Sequence, residues 1–293
     1  MSSSIERAIA RINTGGTPVA PAENIALFPE IKQARLNTLN AERQKKDVIY
    51  EPVASPRTSL QFDLQALARD GFLTPETMQG GLAEQYRLLK HALLTSINEA
   101  KTKSAICRNH IAITSALMGE GKTFTSFNLA MSLAMERDLN VLLVDGDVIG
   151  RSLSQMTGLN AQLGLVDALL NPDLALDDIV VTTNVPRLTL LPAGQQSHQH
   201  ATELMSSDRM RDLSRLLASY QNDQIVLFDA PPLLATSLAI ALVDLVDQVL
   251  VVVEEGRTPC NAVTKALSMV AEKKNTSIVL NKCKFLKRKG YYQ

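Results

Sequence analysis

A doubly wound α/β domain on a mostly parallel sheet is the fold class this sequence predicts, on three observations. Short runs of Val, Ile and Leu with little polar alternation recur from His110 onward, as expected of strands covered on both faces. Stretches of helical spacing separate them, the pattern of repeated β–α units. Between the first run and the first such helix lies Ala116-Leu-Met-Gly119-Glu120-Gly121-Lys122-Thr123. That glycine-bearing loop sits at the carboxyl end of a strand, where such folds take their ligands.

The elements follow in order. Residues 1 to 60 carry mixed polarity and scattered prolines (Pro18, Pro21, Pro29, Pro52, Pro56) and read as an arm, partly helical at Ser3–Asn13 and 30–46. Leu64, Leu67 and Ala68 recur at helical spacing before a stop at Gly71, and Thr74-Pro75-Glu76 opens a loop. Leu82, Tyr86, Leu89, Leu93 and Ile97 form one stripe of a longer helix over 82–98. Strands are expected at 110–115, 140–145, 187–191, 224–229, 248–253 and 276–281. Helices are expected at 123–137, 163–170, 207–220, 237–245 and 259–273. One domain over 61–293 then carries the core and ends in a tail from 282 to 293.

Composition removes several function classes. The 293 residues are 45% apolar and 20% charged, with a formal net charge of zero, so whole-chain electrostatics make no case for nucleic acid. Cys107, Cys260 and Cys283 are scattered and odd in number, which argues against a disulfide framework and suits a reducing cytosol. No run approaches the roughly 20 apolar residues that span a bilayer. The expectation is a cytoplasmic protein whose membrane contact is indirect or peripheral.

The chemistry gathers at three motifs. In the glycine loop, backbone N–H groups turn inward onto phosphates, and the helix N-terminus adds partial positive charge. Lys122 would reach the β- and γ-phosphates of a nucleoside triphosphate, and the Thr123 hydroxyl would ligate Mg²⁺. Val141-Leu-Leu-Val-Asp145-Gly-Asp147 delivers one acid to a strand end and a second two positions on. Ile225-Val-Leu-Phe-Asp229-Ala-Pro231-Pro232 delivers a third. Each acid alone reads equally as a cap on a solvated turn. Three around one triphosphate could hold a metal and orient or deprotonate a nucleophile. His198-Gln-His200, without an acid cluster, reads as loop rather than metal site.

The loop Met118-Gly119-Glu120-Gly121-Lys122-Thr123, the Asp-Gly-Asp motif and the Asp-Ala-Pro-Pro motif together resemble the bacterial tyrosine kinase family. Glu84-Gln-Tyr-Arg87-Leu-Leu-Lys90 is similar to its oligomerisation motif. Ala201-Thr-Glu-Leu-Met-Ser-Ser-Asp208 is similar to the segment before its long helix, and Gly290-Tyr291-Tyr292-Gln293 to a short tyrosine tail. Phe62-Asp-Leu, Gly71-Phe-Leu-Thr-Pro and Gly256-Arg-Thr-Pro resemble the autokinases of exosortase/PEP-CTERM exopolysaccharide loci. The resemblance covers about residues 60 to 293.

It implies a P-loop NTPase of the deviant Walker A type, like partition ATPases and the nitrogenase iron protein, with ATP and Mg²⁺ as cofactors. Gly119, Glu120, Gly121, Lys122, Thr123 and Phe124 would bind the nucleotide. Asp145 would be the base or a metal-linked residue, and Thr123, Asp145 and Asp229 would surround the metal with Asp147 in support. Asn281 would read the adenine edge, although a strand-terminal Asn is as readily a turn former. Tyr291 and Tyr292 would be phosphorylated in trans within a homo-oligomer contacting through Glu84, Arg87 and Lys90. Bare spacing makes Glu84 and Arg87 equally an ordinary surface ion pair. The membrane-bound partner implied is an activator of the polysaccharide co-polymerase type.

The chain departs from the family pattern in three places. Gly150 stands where a basic residue is usual, with Arg151 one later. Leu117 occupies the place of the signature lysine of partition-type ATPases. The tail holds two tyrosines, not a longer run. The basic stretch Lys282, Lys284, Lys287, Arg288 and Lys289 is a solvated tail by default, or presents the tyrosines to an acidic, metal-loaded site, or touches anionic lipid. The rival reading is a partition- or septum-positioning-like ATPase switch without kinase activity. A cluster-carrier ATPase would need the CxxC that is absent.

Overall fold

The computed structural model describes residues 58–103, 109–195, 200–270 and 275–283, with the backbone alone over 99–103. Two compact units divide the chain at Ala54/Ser55, and everything described lies in the second. The arm's predicted helices, Tyr50, Cys107, His198 and the tail from Lys284 to Gln293 fall outside the described residues.

The second unit opens with strand β1 (Thr58–Leu60), helix α1 (Leu64–Arg69), a 3₁₀ turn at Pro75–Thr77 and the long helix α2 (Gly81–Lys103). There follow β2 (His110–Ser115), α3 (Lys122–Ala134), β3 (Asn140–Asp145), α4 (Ser152–Met156), α5 (Leu165–Leu170) and α6 (Leu176–Ile179). Then come β4 (Val181–Thr183), β5 (Leu188–Leu191), α7 (Ala201–Met205) and α8 (Asp208–Ala218). The described chain closes with β6 (Gln224–Asp229), α9 (Leu238–Leu245), β7 (Gln248–Glu254), α10 (Cys260–Val270) and β8 (Asn275–Asn281). These form one eight-stranded sheet in the order β1-β4-β5-β3-β6-β2-β7-β8, parallel except where β4 meets β5.

Successive strand residues face opposite sides, and both sides are covered. Val141, Leu143, Ile225, Leu227, Ile111 and Ile113 point into one core with α2 and α3. Leu142, Val144, Val226, Phe228, Val249 and Val251 point into the other with α5, α8, α9 and α10. That double burial is why these strands read as continuous apolar runs.

Two strands and three short helices were not expected. β1 and β4 are three residues each, and α4, α6 and α7 are five, four and five. β1 is fastened by pairing with β4 and by Asn184, whose amide accepts from Phe62 N at 2.9 Å and donates to Phe62 O at 3.0 Å. The segment after it packs aromatically on α3. Phe62 and Phe72 each lie 5.4 Å from Phe127, ring centre to ring centre, and Phe72 lies 4.9 Å from Phe124. Leu73 N donates to Asn128 Oδ1 at 2.6 Å. The Phe62 and Gly71-Phe-Leu motifs thus brace the helix that begins at Lys122.

Candidate active site

The site is assembled at the carboxyl ends of β2, β3 and β6. β2 and β3 both flank β6, and Asp145 and Asp229 are register partners on β3 and β6. The loop Ala116–Gly121 leaves β2 and turns into α3 through Gly121, at φ +94°. A left-handed backbone there suits glycine. A Cβ on Gly121 would also stand 2.1 Å from Asn281 Nδ2. Gly121→Ala is therefore expected to cost about 1–2 kcal/mol of stability. It should also weaken nucleotide binding about tenfold or more, measured by titration with a fluorescent ATP analogue.

The Asp229 motif runs on along β2 and fixes the loop's root. Ala230 N donates to Ile113 O at 2.9 Å and Leu233 N to Ser115 O at 2.8 Å, while Thr114 Oγ1 donates to Pro231 O at 2.7 Å. Gly146 N donates to Asp229 O at 3.0 Å, joining the other two motifs.

Around this frame the ionic side chains converge. Lys122 Nζ donates to Asp147 Oδ2 at 3.1 Å and lies 3.9 Å from Asp229 Oδ2. Burial works against the Lys122 charge, but the Asp229 and Asp147 carboxylates outweigh it and hold the ammonium above its usual pKa. Asp229 accepts from Thr123 Oγ1 at 2.7 Å and from Ser126 Oγ at 3.0 Å. Its burial is complete and pushes its pKa up despite Lys122. Asp145 is also fully buried, which raises its pKa to about 7. Its Oδ2 accepts from Ser154 N at 2.8 Å and Ser154 Oγ at 2.6 Å, while its Oδ1 has no partner.

The donor set fits a magnesium ion brought with a triphosphate. Among the described residues no group of three His, Cys, Asp or Glu side chains is placed to hold an ion by itself. Mg²⁺ characteristically takes one or two protein oxygens and completes its shell with phosphates and water. With its proton given to Asp229, the Thr123 oxygen keeps lone pairs for such an ion, and the orphaned Asp145 Oδ1 is a further acceptor nearby in the same cluster.

The remaining expected residues are placed as follows. The Glu120 side chain turns inward, 2% exposed, and accepts from Leu117 N at 2.6 Å and from Thr258 Oγ1. Phe124 packs on Phe72 and, with Tyr86, Leu89, Val279, Leu280 and Asn281, lines a cavity of about 210 Å³. Asn281 Nδ2 donates to Glu120 O at 2.9 Å. Gly150 has a steric reason: a Cβ there would stand 2.7 Å from Asp147 Oδ2, and its N–H donates to Asp147 Oδ1 at 2.9 Å. Arg151 turns away, donating to the carbonyls of Asn160 and Gly194.

On α2, Glu84 and Arg87 form an exposed pair at 3.0 Å. Lys90 is only 13% exposed and is bound to Glu136 and to Ser132 O of its own chain. Tyr86 and Tyr220 are buried. Burial raises the Tyr86 pKa to about 12, and Tyr220 donates to Asp177 at 2.9 Å. His200 is an exposed residue before α7. Reading the sequence missed Ser126 and Ser154, which carry no signal beyond being serines on helices.

A phosphate loop opening a helix, with a buried lysine among strand-end aspartates, defines a P-loop nucleoside triphosphatase. Residues 108–282 match the AAA domain family. The tyrosine-protein kinase YwqD of Bacillus subtilis is 31% identical over 215 residues, which are 72% of this chain and 86% of that protein. The succinoglycan biosynthesis transport protein ExoP of Rhizobium meliloti is 34% identical over 177 residues, 59% of this chain and 22% of that protein. Among solved structures, the kinase domain of the Escherichia coli tyrosine kinase ETK superposes with a TM-score of 0.57 at 25% identity. That superposition covers 69% of this chain and 77% of that one. The chain belongs to the bacterial tyrosine-protein kinase family and carries an AAA domain.

Proposed function

We propose that this chain is an ATP-dependent protein-tyrosine kinase that phosphorylates Tyr291 and Tyr292 of a neighbouring copy. One observation carries the reading: Lys122 and Asp145 belong to one buried ionic cluster with Asp147 and Asp229. The first is a buried ammonium set for phosphate. The second is a buried carboxylate with one unpartnered oxygen and a pKa of about 7, suited to take a proton near neutral pH. In the reaction the tyrosine oxygen bonds to the γ-phosphorus as the bond to the β-phosphate oxygen breaks, and ADP leaves. Asp145 Oδ1 accepts the hydroxyl proton. Lys122 swings from Asp147 to the phosphates, and the loop amides hold them. Thr123, with Asp145 and Asp229 in the surrounding cluster, would hold a magnesium ion whose charge would offset that of the phosphates. Asn281, with its Nδ2 spent on Glu120, keeps Oδ1 for the exocyclic amine of adenine beside the cavity.

The homo-oligomer contact falls to the exposed Glu84–Arg87 pair, with Lys90 holding α2 on α3 behind it. The name of ExoP supports a role in exopolysaccharide synthesis or export, with a membrane protein of the export system as activator. No described helix is long and apolar enough to cross a membrane; in this reading the partner supplies the membrane contact.

The test uses labelled ATP. Tyr291→Phe/Tyr292→Phe should lose nearly all incorporated label while still hydrolysing ATP. Mixing that variant with a Lys122→Met chain should place label on the Met chain, whose own site is silent. Label that stays in the Phe variant would refute the tail assignment. Lipid-stimulated hydrolysis with no phosphotyrosine anywhere would favour the ATPase-switch reading.

A further inference from the structure

The phosphate loop is held from outside as well as from its root. Lys282 Nζ donates to Gly119 O at 2.7 Å, and the preceding residue, Asn281, donates to Glu120 O at 2.9 Å. Two consecutive loop carbonyls are thus captured by two consecutive residues at the end of β8. Trans peptide planes set C=O and N–H on opposite sides. Drawing the carbonyls of Gly119 and Glu120 toward β8 therefore turns the N–H groups of Glu120 and Gly121 the other way, into the loop's cradle. The clamp is itself braced. Glu254, at the end of β7 and only 13% exposed at its side chain, accepts from Lys282 at 2.9 Å and faces Arg257 at 3.4 Å. Glu255 N donates to Asn281 O at 3.0 Å, locking the two strand ends together. Lys282 adopts φ +57°, a left-handed backbone uncommon outside glycine. Such an outlier, at a residue whose side chain reaches back onto the nucleotide loop, fits a constrained functional position.

We propose that Lys282, braced by Glu254, is a positioning residue for the phosphate loop: it fixes the Gly119 peptide so that the loop amides are aimed at the nucleotide before it arrives. The proposal rests on the reading of Ala116–Thr123 as an ATP site and adds to it a residue from the opposite end of the domain. Lys282 also begins the stretch that leads to Tyr291 and Tyr292, so chain continuity roots the tail at the edge of the loop it would serve.

The experiment measures ATP affinity and turnover on the full chain with Lys282→Met, Lys282→Gln, Lys282→Arg and Glu254→Gln, and Lys265→Met on the exposed face of α10 as control. Wild-type binding of a fluorescent ATP analogue comes first; its absence would reject the nucleotide-site reading itself. Given wild-type binding, Lys282→Met should raise the Kd and the KM for ATP about tenfold while kcat changes less than twofold. Glu254→Gln should move the same way by less. Lys282→Gln keeps an N–H donor without charge and should recover part of the loss, and Lys282→Arg most of it. Lys265→Met should match wild type. Unchanged affinity in Lys282→Met would overturn the proposal. So would recovery by Arg but not Gln together with a flatter salt dependence, which would make Lys282 a direct phosphate ligand. A Lys282→Met chain with a lowered thermal midpoint and equal losses in kcat and affinity would reduce the residue to general structure.

Discussion

Lys122→Met should abolish incorporation of label from ATP, a loss on the order of a thousandfold or more. The methionine keeps the bulk of the stem and removes the ammonium that faces Asp147 and Asp229. Its cost to the apo-protein is a sharper test of the site's electrostatics. The side chain is about 10% exposed, and its two partners are buried or nearly so. Removing one member of a buried ionic cluster leaves its partners uncompensated, a cost of about 3 kcal/mol. Lys122 draws the pKa of Asp229 down, so without it that carboxylate binds its proton more tightly in the folded state. An acid whose folded pKa is raised stabilises the fold at low pH and loses that contribution as pH rises. The variant should thus melt well below wild type at pH 8 and recover much of the difference at pH 5. Thermal midpoints at the two pH values check this, and a pH-independent difference would mean that lost packing, not charge, dominates.

The parts of this architecture that the sequence shows are those where one residue's neighbours along the chain decide its fate. β2, β3 and β6 match the expected 110–115, 140–145 and 224–229 because each is an apolar run buried on both faces. Asp145 and Asp229 are legible for the same reason, since a buried strand that ends in an acid has one place to put it, whereas Asp147 follows two residues after its strand. β1 and β4 were not, because Thr58-Ser-Leu and Val181-Thr-Thr are too short and too polar for a period, and their pairing with each other across the chain creates them. Ser126 and Ser154 escaped because each acquires its role only when a helix returns a common side chain to a strand end, 103 and 9 residues away. Lys90 shows what spacing leaves out. The resemblance assigns it to a subunit contact alongside Glu84 and Arg87, but the fold gives its ammonium to Glu136 and Ser132 O. Helical spacing places all three residues near one another, but the packing of α2 on α3 decides which of them still faces outward.

Asp145→Asn should do two opposite things: remove the chemistry and stabilise the fold. Asparagine has nearly the shape of aspartate, and its carbonyl oxygen can take over both bonds from Ser154 N and Oγ. It cannot accept the tyrosine proton, so phosphorylation should fall by about a hundredfold to ten-thousandfold. The stability effect follows from burial. Asp145 titrates near pH 3.8 when exposed and near 7 here, with desolvation the leading cause. The folded state therefore holds the proton that the unfolded chain releases. The stability contributed by that proton is complete below the unfolded pKa, erodes as pH climbs from about 4 to about 7, and is gone above. Near pH 4 wild type and variant should melt together. At pH 8 the neutral amide avoids the burial of a charge, and the variant should be more stable by on the order of 2–4 kcal/mol, Lys122 nearby tempering the gain. Denaturant titrations without nucleotide at pH 4 and pH 8 measure both ends. A variant less stable than wild type at pH 8 would mean that the Asp145 carboxylate is held in place by attraction to Lys122 and not against the cost of its burial. It would then resemble the structural ion pair of Lys90 and Glu136 more than a base kept ready for a proton.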